Sequence, residues 1–221
     1  MKTKNYSPIR RKLALAKSIL LNFKSEYFLS DILGFLWSLL FRPAGILTSR
    51  LILWRCSGTV DAQSALIGIR SNRLGLIPFS KGIVEIGKEG VLSCEGHVRI
   101  SHACRIFVHG ELKIGDKTYI NPNCHLVVTK GLHIGSDCAI SWNFQAIDSD
   151  IHQSSGSNEV SKPIKIGNHV WIGSNVTVLK GVEIGDGSII AAGSLVNRNI
   201  PPGVLAGGVP VKILKEGVTW K

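Results

Sequence analysis

The sequence lacks the marks of several common protein classes. Its five cysteines, Cys56, Cys94, Cys104, Cys124 and Cys138, are odd in number and form no CxxC pair. That excludes a zinc ribbon and argues against a disulfide framework, and fits a reducing cytoplasm. No apolar run reaches bilayer length: YFLSDILGFLWSLLF covers only Tyr27 to Phe41 and contains Asp31, whereas a transmembrane helix needs about 20 apolar residues. A cleaved leader is not expected, because Lys17 splits the early apolar stretch and no small-residue cleavage site follows. Acidic residues are scarce, 15 against 26 Lys and Arg, for a net charge of +11. No helix-turn-helix, zinc-finger or aromatic RNA-binding signature accompanies that charge, so nucleic acid is not the expected partner.

What is present begins with 44% hydrophobic residues and 24 glycines in a chain of 221. These describe a globular domain with many tight corners, plus an extension. The charge is unevenly placed: ten Lys and Arg stand against only Glu26 and Asp31 up to Arg55. Read as a helix, Ile9, Leu13, Ala16, Leu20, Phe23 and Tyr27 share one stripe, flanked by Lys12, Lys17 and Lys24. Residues 1–55 are therefore expected to be a basic, apolar helical extension ended by Pro43. It either lies on an anionic membrane surface or packs on the rest of the protein.

The strongest signal is a repeat. From Ile166 the chain reads IGNHVW, IGSNVT, VLKGVE, IGDGSI, IAAGSL, VNRNIP, with Ile166, Ile172, Val178, Ile184, Ile190 and Val196 in one phase. Four residues after each comes a mostly small or β-branched residue. The phase also holds at Ile114, Ile120 and Leu126, slips by two, and resumes at Ile134, Ile140 and Ala146. A period of six fits neither a helix nor a simple strand. It fits a solenoid of short strands and tight corners, three faces making a coil of about eighteen residues. Cys104, Cys124 and Cys138 fall at the small inward position, which makes them core residues.

The run IGNHVWIGSNVTVLKGVEIGDGSIIAAGSLVNRNIPPGVLAGGVPVK resembles the hexapeptide-repeat acyltransferases, in particular those that O-acetylate sugars of bacterial surface polysaccharides. The resemblance covers about Val60 to Leu214. It implies a mainly β protein, a left-handed parallel β-helix over residues 56–203 with an N-terminal helical extension and a C-terminal tail, 204–221. It also implies acetyl-coenzyme A as co-substrate, a carbohydrate acceptor and a homotrimer with active sites between subunits.

One excursion interrupts the rhythm, IDSDIHQSSGSNEVSKP from Ile147 to Pro163. Loops on a rigid scaffold are common places for chemistry. The family places a histidine here, commonly preceded by Asp two residues earlier, and DSDIH matches. The resemblance thus makes His152 the general base for direct transfer, an imidazole being suited to take a hydroxyl proton near neutral pH. Asp150 and Asp148 compete to orient it; the bland alternative is a solvent-exposed loop histidine. By the same resemblance, Trp171, Gly173, Ala191, Ala192, Gly193 and Lys212 would meet the coenzyme and Asn143 the acceptor, though Trp171 also suits a subunit interface. The family's closing Gly-Asn-Pro-Ala is replaced here by Gly208, Val209, Pro210 and Val211.

No metal is expected. The zinc sites of this fold pair histidines five apart in sequence, whereas His102 and His109 are seven apart and His125 and His133 eight. The expected activity is O-acetylation of a capsular, O-antigen or exopolysaccharide unit at the inner face of the cytoplasmic membrane. N-acetylation of an amino sugar and a non-catalytic scaffold are the alternatives. The 55-residue extension is too short for the helical domain of a serine acetyltransferase.

Overall fold

The computed structural model describes residues 46–48, 52–69, 81–152 and 159–221. The expected helical extension lies outside them up to residue 45. Among the described residues no helix is long and apolar enough to cross a membrane.

The six-residue pattern becomes a three-sided parallel β-helix. The first face stacks Glu111–Ile114, Gly131–Ile134, Ile164–Ile166 and Glu183–Ile184. The second stacks Tyr119–Ile120, Ala139–Ile140, Trp171–Ile172, Ile189–Ile190 and Val204–Gly207. The third runs from Ile52–Cys56 through Gly82–Ile86, Arg105–Val108, His125–Val128, Gln145–Ile147 and Thr177–Leu179 to Leu195–Val196. Two long strands, Thr59–Ile69 and Val91–Ser101, bend round an edge and serve the first two faces together.

The phase slip has a structural meaning. Tyr119 pairs with Ala139 and Arg105 with His125, so the middle coils hold twenty residues. Trp171 pairs with Ile189 and Thr177 with Leu195, so the later coils hold eighteen. In both, the in-phase aliphatics point inward: Ile114, Ile120, Ile172, Val178, Ile190 and Val196 are each at most 1% exposed. Each contributes about 1.5–3 kcal/mol relative to an exposed side chain. The position four later is buried too, at Val170, Val176, Ser188 and Ser194. The hydroxyls there are satisfied, Ser188 donating to Pro201 O at 2.7 Å and Ser194 to Ala191 O at 2.6 Å. Phe144, fully buried just before the excursion, is the bulky exception.

The corner turns one residue before this small position. Lys117, Asn123, Asp137, Asn143, His169 and Asn175 all have φ between 53° and 62°, and Gly181, Gly187 and Gly193 take the same place. Asn, Asp and Gly tolerate this left-handed conformation better than other residues do.

The solenoid also extends beyond the residues that announce it. The strand Ile52–Cys56 crosses the boundary expected at residue 55, and Ile46–Thr48 already pairs with Ala65–Ile67. At the other end Val204–Gly207 still pairs in parallel with Ile189–Ile190, and Lys212–Glu216 then folds back antiparallel upon it. The residues expected as a tail are therefore ladder. They lack the six-residue period because the reversed strand packs on an edge rather than around the prism.

Cys94, Cys104, Cys124 and Cys138 are buried. Burial pushes the Cys94 thiol up to about 12 and raises Cys138, while the Cys104 contact and burial raise Cys124. All three stay protonated at neutral pH, as core residues do.

Candidate active site

The excursion leaves the prism at the edge between the third and first faces, after Gln145–Ile147 and before Ile164–Ile166. Its described parts form a short stem. Ser149 and Ser161 make an antiparallel bridge, Asp150 N–H donates to Val160 O at 3.0 Å, and Lys162 N–H donates to Asp148 O at 2.8 Å. The Ser149 and Ser161 hydroxyls meet at 3.0 Å.

Asp148 is fully buried at the root of this stem. One carboxylate oxygen accepts from the Thr129 N–H at 2.8 Å and the Thr129 hydroxyl at 2.7 Å. The other accepts from the Lys130 and Gly131 N–H groups, each at 2.7 Å. Four donors compensate the desolvated charge and use both oxygens. Asp148 thus fastens the excursion to the corner of the preceding coil.

Asp150 is turned the other way, toward the following coil. Its carboxylate lies 2.5 Å from the Lys180 ammonium, which also donates to Glu159 O at 2.6 Å. Lys130 and Lys162 share the Glu159 carboxylate at 3.3 and 3.7 Å. The Lys130 hydrogen bond and the charge of Lys162 hold that exposed carboxyl below its usual range.

His152 stands two residues beyond Asp150, exposed, with its backbone N–H donating to Asp150 O at 2.6 Å. Among the described residues its ring meets no hydrogen-bond partner, so neither aspartate reaches it within one chain.

The residues expected to meet the coenzyme gather at a different edge, between the second and third faces. Gly173 N–H donates to Ile190 O at 2.8 Å, Gly193 N–H to Ser174 O at 2.8 Å, and Ala191 N–H to Ala206 O at 2.8 Å. A Cβ on Gly173 would sit 2.6 Å from Ala192 N, while one on Gly193 would face open space. Ala192 and Gly193 are exposed, and Lys212 pairs with Gly207, whose own missing Cβ would lie 2.8 Å from the Cβ of Ala191. The result is an edge stripped of side chains with a cation beside it, which fits a narrow extended ligand ending in phosphates. Asn143 is a corner residue of this same edge and donates its side-chain N–H to Asn175 Oδ1 at 2.9 Å.

Trp171 projects outward from the second face, 42% exposed. Its neighbour was not anticipated: Trp220 stacks on His169, donates its indole N–H to His169 O at 2.8 Å and lies 6.2 Å from the Trp171 ring. The sequence signal for this was only a lone tryptophan one residue from the chain end. A groove of about 750 Å³ lies elsewhere, along the edge between the first and second faces, beside Gly115, Gly135, Gly167 and Gly185. It holds none of the expected site residues. Among the described residues no three metal-ligating side chains gather.

Comparison with known proteins agrees with this architecture. Residues 163–198 match the model of the bacterial transferase hexapeptide (six repeats). Over that segment the chain carries the hexapeptide repeat. The chain is 40% identical to the galactoside O-acetyltransferase of Escherichia coli (strain K12), over 47% of its own length and 63% of the relative's. It spans roughly half to two thirds of the length of the curated relatives it matches. Among solved structures it resembles the polySia specific acetyltransferase NeuO, with a TM-score of 0.50, 23% identity and coverage of 80% and 89% of the two chains. It also resembles AntD, an N-acyltransferase from Bacillus cereus, with a TM-score of 0.52, 18% identity and coverage of 77% and 80%. The shared fold is the left-handed parallel β-helix.

Proposed function

We propose that the protein is an acetyl-coenzyme A dependent O-acetyltransferase acting on a sugar hydroxyl of a bacterial surface polysaccharide, with His152 as general base. The observation that carries this reading is the placement of His152, an exposed imidazole on a fastened stem at the edge of a hexapeptide prism. The likeness to a galactoside O-acetyltransferase supports sugar as the acceptor class. The match of DSDIH to the pattern of polysaccharide O-acetyltransferases supports the finer assignment.

The thioester supplies an activated acetyl group. His152 takes the proton of the acceptor hydroxyl as that oxygen attacks the thioester carbonyl and forms the ester bond; the C–S bond breaks and the leaving thiolate receives that proton from His152 to depart as the thiol. The stripped edge at Gly173 and Ala191 to Gly193 holds the pantetheine arm, with Lys212 near the phosphates. Exposed Trp171 borders the acceptor.

His152 and the coenzyme edge occupy different edges of one prism, which favours a site completed between neighbouring copies of a homotrimer. The outward row on the second face carries exposed Tyr119 and Trp171 with half-buried Ile189 and Leu205, apolar side chains that suit such contact. The basic, apolar N-terminal sequence supports a place at the inner face of the cytoplasmic membrane. Recovery wholly in the soluble fraction, with and without residues 1–42, would count against that.

The test is acetyl transfer from labelled acetyl-coenzyme A to a panel of surface glycans and amino sugars. His152→Ala should lower the rate by about 10² to 10⁴. Activity within a few fold of wild type would remove His152 from the mechanism. No transfer and no coenzyme binding would leave a scaffold.

A further inference from the structure

We infer that Asp148 and Lys180 are positioning residues for His152, locking from both sides the stem that presents its ring. The inference rests on the proposed acetyltransferase reading and concerns the same site.

The stem is two short antiparallel arms, 148–150 and 160–162, joined by the hydrogen bonds already described. Such a pair is marginal on its own. Here it is held from the preceding coil by Asp148, whose carboxylate is closed into the turn Thr129 to Gly131 by four donors at 2.7–2.8 Å. From the following coil Lys180 crosses both arms at once, meeting the Asp150 carboxylate on one and, on the other, the Val160 carbonyl at its start together with that of Glu159 just before it. The Lys180 side chain is 22% exposed, whereas Lys130 and Lys162 nearby are 52% and 56% exposed. Lys180 is a fixed strut, and the other two are ordinary surface cations. Since the prism is stiff, both attachments transmit its geometry to the residue at the stem's end.

A general base works only within hydrogen-bond reach of the proton it takes, and a displacement of about 1 Å can cost roughly 10²-fold in rate. Neither Asp148 nor Lys180 touches the imidazole, so each acts through the backbone that carries it. The charge pair Lys180–Asp150 is also half exposed on one side, so its contribution to global stability is small.

The experiment measures acetyl transfer for Asp148→Asn, Lys180→Met and Lys180→Arg, each in wild-type and His152→Ala backgrounds, with thermal unfolding monitored in parallel. Lys180→Met alters a side chain near the surface and keeps the test valid should Asp148→Asn not fold. The expected result is a fall in kcat of about tenfold to hundredfold for Asn and Met, an unchanged KM for acetyl-coenzyme A, and recovery in Lys180→Arg. In the His152→Ala background the same substitutions should change the residual rate by less than about twofold, because the group they position is gone. An equal loss with and without His152 would reduce both residues to structural supports and overturn the inference. Unchanged kcat in an active, His152-dependent enzyme would overturn it while leaving the functional reading intact. A wild-type protein that transfers no acetyl group would overturn both.

Discussion

The ring of His169 lies flat against the indole of Trp220, with 4.3 Å between centroids and 8° between planes. Fifty-one residues apart in sequence, the two are also joined by the indole N–H to His169 O and by His169 Nε2 to Trp220 O at 3.2 Å. The other ring nitrogen meets Asp137 of the preceding coil at 2.8 Å. The chain end is thereby fastened across two coils, next to Trp171.

This fastening should depend on pH. The hydrogen bond to Asp137 and that to the Trp220 carbonyl raise the His169 pKa above its ordinary value. A raised folded pKa means that protonated His169 favours the docked state. The contribution is therefore complete below the unfolded value, about 6.5, and is lost as pH rises through the folded value. Protection at Val218 to Trp220, taken against the intrinsic exchange rate at each pH, should fall over that upper window, and Asp137→Asn should flatten the response. Protection that does not change as the pH rises from about 6.5 in the wild type would contradict the assignment.

Lys117 is a second point of tension. It is exposed and holds φ at 61°, a conformation that costs a side chain with a Cβ about 1–2 kcal/mol. Lys117→Gly should stabilise the protein by about 0.5–1 kcal/mol after the greater unfolded-state entropy of glycine is allowed for. The check is a higher denaturant midpoint at constant m-value; destabilisation would mean that the lysine stem makes a packing contribution.

Gly173 faces the opposite constraint. Its missing Cβ would sit 2.6 Å from Ala192 N and 2.8 Å from Ile190 O, both backbone atoms of the next coil. Gly173→Ala must part the coils, at about 1–3 kcal/mol, and should weaken coenzyme binding measured calorimetrically. Gly193→Ala, with φ at 72° and open space around it, should lower stability without moving the ladder. Coenzyme affinity unchanged in Gly173→Ala would place the donor elsewhere.

Much of the prism was legible because a period of six leaves the same chemical mark on every coil. Ile166, Ile172, Val178 and Ile184 announce their inward direction, while the slip of two between Leu126 and Ile134 took its meaning only from the ladder, where those coils hold twenty residues and not the expected eighteen. The true corner position was legible as well, since Asn123, Asn143, Asn175, Gly187 and Gly193 are residues that accept positive φ. The glycine after the aliphatic instead serves close approach between coils. The roles of the two aspartates were not legible. DSDIH suggests carboxylates placed for a histidine, but only the fold turns Asp148 back onto Thr129, Lys130 and Gly131 and Asp150 onto Lys180. Contacts such as His169 with Trp220 join segments that share no pattern, so no local reading can pair them.

The backward turn at Lys212–Glu216 bears on what a stack of similar coils would otherwise do. A parallel ladder whose last strand is bare can take on any extended segment, including the first coil of another molecule, and so grow without limit. Here the final parallel strand of the second face, Val204–Gly207, is covered by a strand running the opposite way, whose Lys212 and Lys215 are exposed. On this face the reversing strand closes the ladder to further parallel growth.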